Sequence, residues 1–326
     1  MCRWKISRTP KSFQEENILS AQKIYEDHKT PVIFLSGGLD SNMVAEVFRL
    51  AKVPYEIFIM KYNHGWNDYD IKYGIDWCDA YNIKYTLYDA DVLSFWKGTE
   101  WEDLALKTQL CSPQILYYMH VAKNINGYPV LGHGELDLTR EKSGEISSIY
   151  GKEERAWDKL FSGGKEGQGS FFHHTPEQRV SWMISDETIK FINGTKYTTA
   201  GDSHSSDFED GFVDALMCHK NEFYRTFYPN LIKREPIVNY NKDYRDGHIR
   251  RFGMPMTDYT GFDRLPKHVF DLEHDIRHHL QKTINKGKDE WFLYDKYIQN
   301  VLTEDLYNKV LEKIKWPTEK NLESIH

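Results

Sequence analysis

Apolar residues in the first 140 positions form short continuous runs, separated by longer stretches in which they recur every three or four residues. The short runs are typical of buried strands, and the longer stretches are typical of amphipathic helices. Strands that alternate with helices predict β–α units and a parallel sheet with helices on both faces. We therefore predict an α/β fold built on a doubly wound parallel sheet. The predicted strands are residues 32–35, 55–60, 84–88 and 128–131, and the predicted helices are residues 12–28, 42–50, 68–81 and 112–124.

The composition changes near residue 142, and the pattern beyond it is mainly helical. Residues 162–169 are rich in glycine, and no apolar strand precedes them, which predicts a mobile lid or linker. We therefore predict an α/β domain over residues 1–141, a flexible lid or linker over residues 142–170 and a mainly helical substrate-binding region over residues 171–326. The predicted helices of this last region open at Thr175 and cover residues 206–227, 266–284 and 289–314.

Residues 36–41, Ser-Gly-Gly-Leu-Asp-Ser, connect the first predicted strand to the helix that follows it. Glycines in such a turn allow positive φ and bring backbone N–H groups close to an anion. The start of the helix directs further unpaired N–H groups and the positive end of its dipole to the same place. Serine hydroxyls add donors, and Asp40 can hold a cation against phosphate oxygens. The run therefore predicts a phosphate-binding loop, although it has neither the Lys-Ser/Thr ending of a Walker A motif nor Gly-x-Gly-x-x-Gly spacing.

In this setting the six residues resemble the PP-loop of the N-type ATP pyrophosphatases, which have the adenine nucleotide alpha-hydrolase-like (HUP) fold. The motif is most similar to that of the synthetase domain of asparagine synthetase. The resemblance implies that ATP is cleaved between its α and β phosphates, with Mg²⁺ as cofactor and Asp40 as both catalytic residue and metal ligand. It also implies that adenine lies between the ends of the first two strands. The nucleotide-binding residues implied here are Leu35, Ser36, Gly37, Gly38, Leu39, Asp40, Ser41, Met60 and Lys61.

The fourth predicted strand ends in a second turn that is rich in glycine and acidic residues, at positions 132–137. Ligands of open parallel sheets bind beyond the carboxyl ends of the strands, so this turn is expected beside the first loop. In the resembling enzymes the corresponding turn closes with paired acidic residues that approach AMP and magnesium. By this resemblance Gly132 and Gly134 bind nucleotide and Asp137 binds the metal. Leu136 departs from the family pattern, because it stands where the other acidic residue is found.

A basic cluster in the second half of the chain consists of Lys233, Arg234, Arg250 and Arg251. Members of the resembling family bring a downstream Lys or Arg to the departing pyrophosphate, whose charge must be neutralised. The resemblance therefore makes Lys233 and Arg250 catalytic candidates, although no feature of the sequence decides among the four residues.

Charge and composition narrow the range of partners. The 326 residues carry a formal net charge of −7, which disfavours a nucleic-acid substrate because proteins that bind one usually present a basic surface.

No run approaches the ~18 apolar residues of a membrane span. The first residues lack the apolar segment of a signal peptide, so a cytoplasmic protein without membrane attachment is expected. The four cysteines show no C-x-x-C spacing, which argues against a cysteine-bound zinc or iron–sulfur cluster, and a homo-oligomer stays open.

These features together predict an adenylate-forming enzyme. The carboxylate of a small molecule attacks the α-phosphorus of ATP and releases pyrophosphate, and ammonia or an amine then displaces AMP to form an amide. Cys2 follows Met1 as the catalytic cysteine of glutamine-dependent asparagine synthetases does, but the roughly thirty residues before the loop cannot hold a glutaminase domain. Two alternatives stay open. One is a PP-loop enzyme that modifies a tRNA or DNA base, and the other is a non-catalytic ATP-binding protein, which Leu136 favours.

Overall fold

The computed structural model describes residues 6–133, 138–140, 146–148, 152–194, 220–233 and 265–284, together with residues 308, 312 and 313. Strands and helices alternate along the first 130 residues, as the hydrophobic pattern predicts. The strands are β1 (Pro31–Phe34), β2 (Glu56–Tyr62), β3 (Tyr85–Ala90), β4 (Tyr128–Val130), β5 (Leu138–Arg140) and β6 (Ile146–Ser148). The helices are α1 (Phe13–His28), α2 (Leu39–Ala51), α3 (Asp68–Ala80), α4 (Val92–Lys97), α5 (Glu100–Thr108), α6 (Pro113–Asn124), α7 (Lys152–Phe161), α8 (Pro176–Ile184), α9 (Asp186–Gly194), α10 (Lys220–Phe227) and α11 (Lys267–Thr283).

Strands β1 to β4 form one parallel sheet in the order β3-β2-β1-β4, and β5 and β6 form a separate antiparallel pair. Ile33 of β1 lies opposite Ile57 of β2 on one side and Val130 of β4 on the other. The chain leaves β1 toward β2 and β3 and returns on the other side of β1 as β4. In open parallel sheets such a reversal opens a crevice at the carboxyl ends of the strands. The predicted fold class, an α/β doubly wound parallel sheet, is confirmed.

The hydrophobic core lies in two layers, one on each face of this sheet, because successive side chains of a strand point to opposite faces. Ile33 and Ile59 pack on the face covered by α1, α2 and α8. Val32 and Phe34 pack on the face covered by α4, α5, α6, α7 and α11. Burial on both faces explains why the strands appear in the sequence as continuous apolar runs.

Local capping signals mark some of the helix starts. Ser12 and Glu15 form a capping box before α1, and the Thr175 side chain accepts a hydrogen bond from the Gln178 N–H at the start of α8. Helix α2 begins at Leu39 rather than at residue 42, because the helix already starts within the loop, where the apolar repeat is absent. Helices α4 and α5 were not predicted; both are short, and helix periodicity is weak over so few residues.

The described part of the predicted lid or linker packs against the sheet. The Leu131 N–H donates to the Gln168 carbonyl at 2.8 Å, and the Gln168 N–H donates to the Pro129 carbonyl at 2.8 Å. Lys165 Nζ donates to the carbonyls of Ile125 and Gly127, each at 2.7 Å. The two backbone bonds of Gln168 extend the sheet beyond β4. The division of the chain at residues 141 and 170 stays a prediction.

Helices α8, α9, α10 and α11 account for most of the described residues after 170. The helix predicted over residues 266–284 matches α11, and the end of the helix predicted over residues 206–227 matches α10. The remaining predicted helix, residues 289–314, lies outside the described residues except for positions 308, 312 and 313. Among the described helices, none combines the length and the hydrophobicity needed to cross a bilayer.

Candidate active site

Residues 36–41 form a tight turn between the end of β1 and the start of α2. Gly37 has φ +83°, in the left-handed region that glycine adopts readily. A Cβ atom at this position would lie 1.8 Å from the backbone carbonyl oxygen of Asp70, so the backbone of α3 leaves no room for a side chain. Gly38 precedes α2 in extended conformation, and its carbonyl accepts a hydrogen bond from the Asn42 N–H at 3.0 Å. Gly38, the residue before the first turn of α2, has no side chain that could cap this helix start.

The two serines of the loop are bonded to each other. Their Oγ atoms are 3.0 Å apart, and Ser41 Oγ also accepts from the Ser36 N–H at 3.2 Å and donates to the Gly38 carbonyl at 3.0 Å. Ser36 Oγ accepts from the Gly38 N–H at 3.3 Å. These bonds connect the first residue of the loop to its last, so the loop holds its shape without a ligand.

The turn after β4 packs closely against this loop. A Cβ atom on Gly132 would lie 3.0 Å from the carbonyl carbon of Asp40 and 3.2 Å from the Ser41 nitrogen. A larger residue would push the turn away from the start of α2. The structure therefore brings Gly132 to the loop, as the sequence predicts, and gives a steric reason for glycine there.

A cavity of about 290 Å³ opens where the carboxyl ends of β1 and β4 meet. This is the switch point of the sheet, where ligands of such folds bind. Loop residues form one wall, and the starts of α3 and α6 form others. The lining residues are Phe34, Ser36, Gly38, Asp40, Ser41, Tyr62, Asn67, Asp70, Gln114, Ile115, Tyr118, Leu131, Gly132 and His133.

Two carboxylates line the cavity, Asp40 on the first turn of α2 and Asp70 on the first turn of α3. Asp70 is 8% exposed, and its backbone carbonyl is the group that faces Gly37. The sequence analysis missed Asp70. The signal that could have found it is its place shortly after the second strand, at the sheet edge where the first loop also lies.

Asn67 fixes the entry into α3. Its side-chain amide donates to the Met60 carbonyl at 2.7 Å, and its Oδ1 accepts from the Tyr62 N–H at 2.7 Å. Asn67 is 6% exposed and lines the cavity. The same side chain therefore binds the backbone at the end of β2 and sets the position of the helix that carries Asp70.

Two phenols and an imidazole complete the wall opposite the loop. The hydroxyls of Tyr62 and Tyr118 are hydrogen-bonded to each other; burial raises the pKa of Tyr62 well above 10 and the pKa of Tyr118 to about 12. Both phenols therefore stay neutral near pH 7, and because one hydroxyl donates to the other, the pair keeps one O–H that can donate to a ligand. The His133 ring stacks on Trp157 with centroids 5.4 Å apart and meets Tyr118 edge-on at 5.8 Å.

Several residues implied by the resemblance lie near the cavity without lining it. Leu35, directly after β1, and Gly37 and Leu39, within the loop, are buried. Met60 is buried, and its carbonyl accepts from Asn67, while Lys61 is half-buried on β2. Their roles in nucleotide binding stay predictions, as does that of Gly132. The predicted residues Gly134, Asp137 and Arg250 lie outside the described residues.

Lys233 lies at the end of a segment that is attached to α2. The N–H of Ile232, the residue before it, donates to Asn42 Oδ1 at 3.2 Å. Asn42 directly follows Ser41, the last residue of the loop. Lys233 is exposed. The structure thus brings this candidate near the loop of residues 36–41, and its catalytic role stays a prediction.

Among the described residues, no group of three or more His, Cys, Asp and Glu side chains is arranged to hold a metal ion. Mg²⁺ does not need such a group, because it is commonly bound through one or two carboxylates, water and substrate phosphates. Asp40 on α2 and Asp70 on α3, which both line the cavity, fit that requirement.

Comparisons with known proteins add little to this geometry. Neither a protein-family model nor a protein of curated function matches the chain. Among solved structures, one match is the NH3-dependent NAD synthetase of Campylobacter jejuni in complex with nitrate, at 16% identity and a TM-score of 0.31, covering 86% of this chain and 98% of that one. Another is the U34-tRNA thiolase NcsA of Methanococcus maripaludis with its [4Fe-4S] cluster, at 11% identity and a TM-score of 0.29, covering 84% of this chain and 79% of that one.

Proposed function

We propose that this chain is an ATP-dependent enzyme that cleaves ATP between the α and β phosphates and transfers AMP to a substrate oxygen. The observation that carries the proposal is the loop of residues 36–41, which turns at Gly37 with positive φ and starts α2 at the wall of the cavity. Backbone N–H groups and a helix start at a sheet switch point form a site for phosphate.

The loop is suited to the β and γ phosphates. Gly38 and Ser41 line the cavity, and Gly38 precedes α2 without a side chain that could cap it. The first N–H groups of a helix have no partner within the helix itself, and the helix dipole favours negative charge at the same place. The serine bonds fix the loop beforehand, so phosphate binding requires little ordering of the backbone.

Asp40 and Asp70 are the residues of the described site that would hold Mg²⁺ against these phosphates. Both line the cavity, on α2 and on α3, so an ion between them would sit beside the loop. When bound, the ion would offset the negative charge of phosphate oxygens during cleavage. Asp137, outside the described residues, stays a proposed third ligand.

The rest of the cavity is suited to the nucleoside and the acceptor. Phe34, Ile115 and Leu131 give it apolar walls, and Asn67 and Gln114 add amides. A volume of about 290 Å³ is at the low end of small-molecule sites, which begin at about 300 Å³. The cavity therefore encloses part of ATP, and the remainder extends toward the C-terminal half.

The acceptor that we propose is a carboxylate, and the second substrate is ammonia or an amine. A carboxylate oxygen attacks the α-phosphorus, the bond from that phosphorus to the bridging oxygen breaks, and pyrophosphate leaves with the electron pair. The amine nitrogen then attacks the acyl carbon, AMP leaves, and the nitrogen loses a proton. Amide formation of the asparagine-synthetase type is the finer form of this proposal.

Product analysis tests the proposal. Purified protein is incubated with Mg²⁺, ATP, ammonium and pooled amino acids, and the nucleotides are separated. We expect AMP and pyrophosphate in equal amounts, and omission of single amino acids then identifies the acceptor. ADP and phosphate would contradict the mechanism. Turnover that needs added RNA or DNA would point to base modification, and ATP binding without turnover to a binding protein.

A further inference from the structure

The segment from Tyr228 to Lys233 follows α10 and is attached to the first part of α2. The Ile232 N–H donates to Asn42 Oδ1 at 3.2 Å, and Ile232 packs against the core on the face covered by α2. Asn42 directly follows Ser41, the last residue of the loop. Lys233 is therefore the residue next to a contact made just beyond the loop.

Arg225 holds this segment in place. Its guanidinium, extending from α10, donates to the carbonyls of both Leu231 and Ile232. A planar guanidinium that binds two successive carbonyls fixes their direction, which a lysine cannot reproduce. The backbone just before Lys233 is therefore held from two sides, by Arg225 and by Asn42.

Asn42 is an unusual residue for its position. It is 2% exposed, among the apolar residues of α2, and its Nδ2 has no hydrogen-bond partner within the part of the chain that the structure describes. A buried amide donor without a partner is unfavourable and calls for an explanation. The one bond that its side chain makes in the described structure is to Ile232. An apolar residue would pack there without the penalty, but it would release the segment.

We propose that Asn42 and Arg225 are positioning residues that deliver Lys233 to the pyrophosphate end of the site. The inference rests on the proposed function, in that Lys233 is taken to contact the phosphates held by the loop. It adds that the C-terminal half acts on the loop through this two-sided attachment. Neither Asn42 nor Arg225 needs to touch the substrate.

The affinity for inorganic pyrophosphate in the presence of Mg²⁺, measured by calorimetry, tests this device. We compare the wild type, Lys233→Ala, Arg225→Lys and the double variant. Loss of a charged hydrogen-bond donor should weaken binding about 10- to 100-fold in Lys233→Ala. Arg225→Lys should weaken it about 5-fold or more, and the double variant should bind no more weakly than Lys233→Ala alone.

Arg277→Lys is the matched control, because Arg277 also bonds through its guanidinium, to Glu273, but on α11 and away from the loop. Its affinity for pyrophosphate should equal that of the wild type. Asn42→Leu, which keeps the branched shape and removes the bond to Ile232, gives a second route if Arg225→Lys unfolds. Thermal unfolding of every variant identifies losses that are due to misfolding.

Losses that multiply in the double variant would overturn the inference, because Arg225 would then act independently of Lys233. A wild type that binds pyrophosphate but forms no AMP would refute the proposed function while the affinity cycle still decides the positioning role. A wild type that does not bind pyrophosphate would overturn both.

Discussion

Steric limits decide which residues fit at single positions of the loop and of the turn beside it, as much as chemistry does. Gly37 combines positive φ with a carbonyl oxygen only 1.8 Å from where a Cβ atom would lie. Gly132 has ordinary φ but approaches Asp40 and Ser41 closely. Both glycines let three elements, α2, α3 and the turn after β4, converge on one point. The shape of the proposed phosphate site therefore depends on the absence of a Cβ atom at these two positions.

Gly37→Ala should lower the free energy of unfolding by about 3 kcal/mol or more and abolish ATP binding, since both φ and space oppose a side chain. Gly164→Ala is the matched control. Gly164 has φ +104° but nothing within 4 Å of a Cβ atom, so it should lose only about 1–2 kcal/mol. Denaturant unfolding measures both, and equal losses would show that Asp70 does not constrain the loop.

Asp40→Ala should reduce ATP cleavage about 100-fold or more, because it removes a proposed magnesium ligand, with little loss of folding stability. Asp76→Ala serves as the control: Asp76 is an exposed residue of α3 that pairs with Lys72, and its loss should leave turnover unchanged. Steady-state AMP formation at several Mg²⁺ concentrations makes the comparison. Turnover in Asp40→Ala at the wild-type rate would mean that the loop is misassigned.

At the scale of elements, the site depends on how α3 begins. Asn67 bridges Met60 and Tyr62 at the end of β2, and Asp70 follows within one turn. The loop after β2 therefore sets the distance between the two carboxylates. A substitution at Asn67 would therefore shift Asp70 and, through the Asp70 backbone carbonyl, the backbone at Gly37.

Asn67→Ala should lower the free energy of unfolding by about 2–4 kcal/mol, because it leaves two buried backbone groups without their partner. Asn124→Ala removes a comparable amide bond, to the His120 carbonyl, at an exposed position and should cost less than about 1 kcal/mol. Denaturant unfolding compares the two variants. If they lost the same amount, Asn67 would not be the residue that fixes the start of α3.

The sequence was sufficient to predict the elements that carry a strong local signal. The strand–loop–helix context of residues 36–41 and the capping of α1 were predictable, because each depends on neighbours in the chain. Asp70, Tyr118 and His133 were not, since they reach the cavity only through the packing of α3, α6 and the turn after β4. The attachment of Ile232 to Asn42 spans 190 positions and has no local signature.

At the scale of the whole molecule, two cores flank one sheet, and the C-terminal half contributes to both. Tyr224 and Leu231 join the core on one face, and Val269 and Leu280 join the core on the other. The stability of the α/β part therefore depends on residues far along the chain. The turn at 168–174, which extends the sheet, carries a titratable group into this packing.

His174 should make folding stability pH-dependent. Its pKa is lowered from 6.5 to about 4, mainly by burial and also by the charges of Lys23 and His28, with Asp27 opposing them. Because the folded state binds the proton less tightly than the unfolded state, this contribution is fully present above pH 6.5 and is lost as the pH falls toward 4. The loss amounts to at most about 3 kcal/mol.

His174→Asn removes the titrating group and retains an amide donor toward Gln168, whose Oε1 lies 2.8 Å from His174 Nδ1. The variant should therefore lose less stability than the wild type between pH 6.5 and 4. Denaturant unfolding across that range measures the difference. Parallel curves for the two proteins would assign the acid sensitivity to other groups.

The central claim, cleavage between the α and β phosphates at the loop of residues 36–41, is tested most directly with ATP labelled in its γ phosphate. The label is followed at early times with Mg²⁺, ammonium and the amino acid pool, in the wild type and in Asp40→Ala. The account predicts label in pyrophosphate from the wild type and almost none released by the variant. Label in orthophosphate from the first time point, with ADP as the other product, would contradict it.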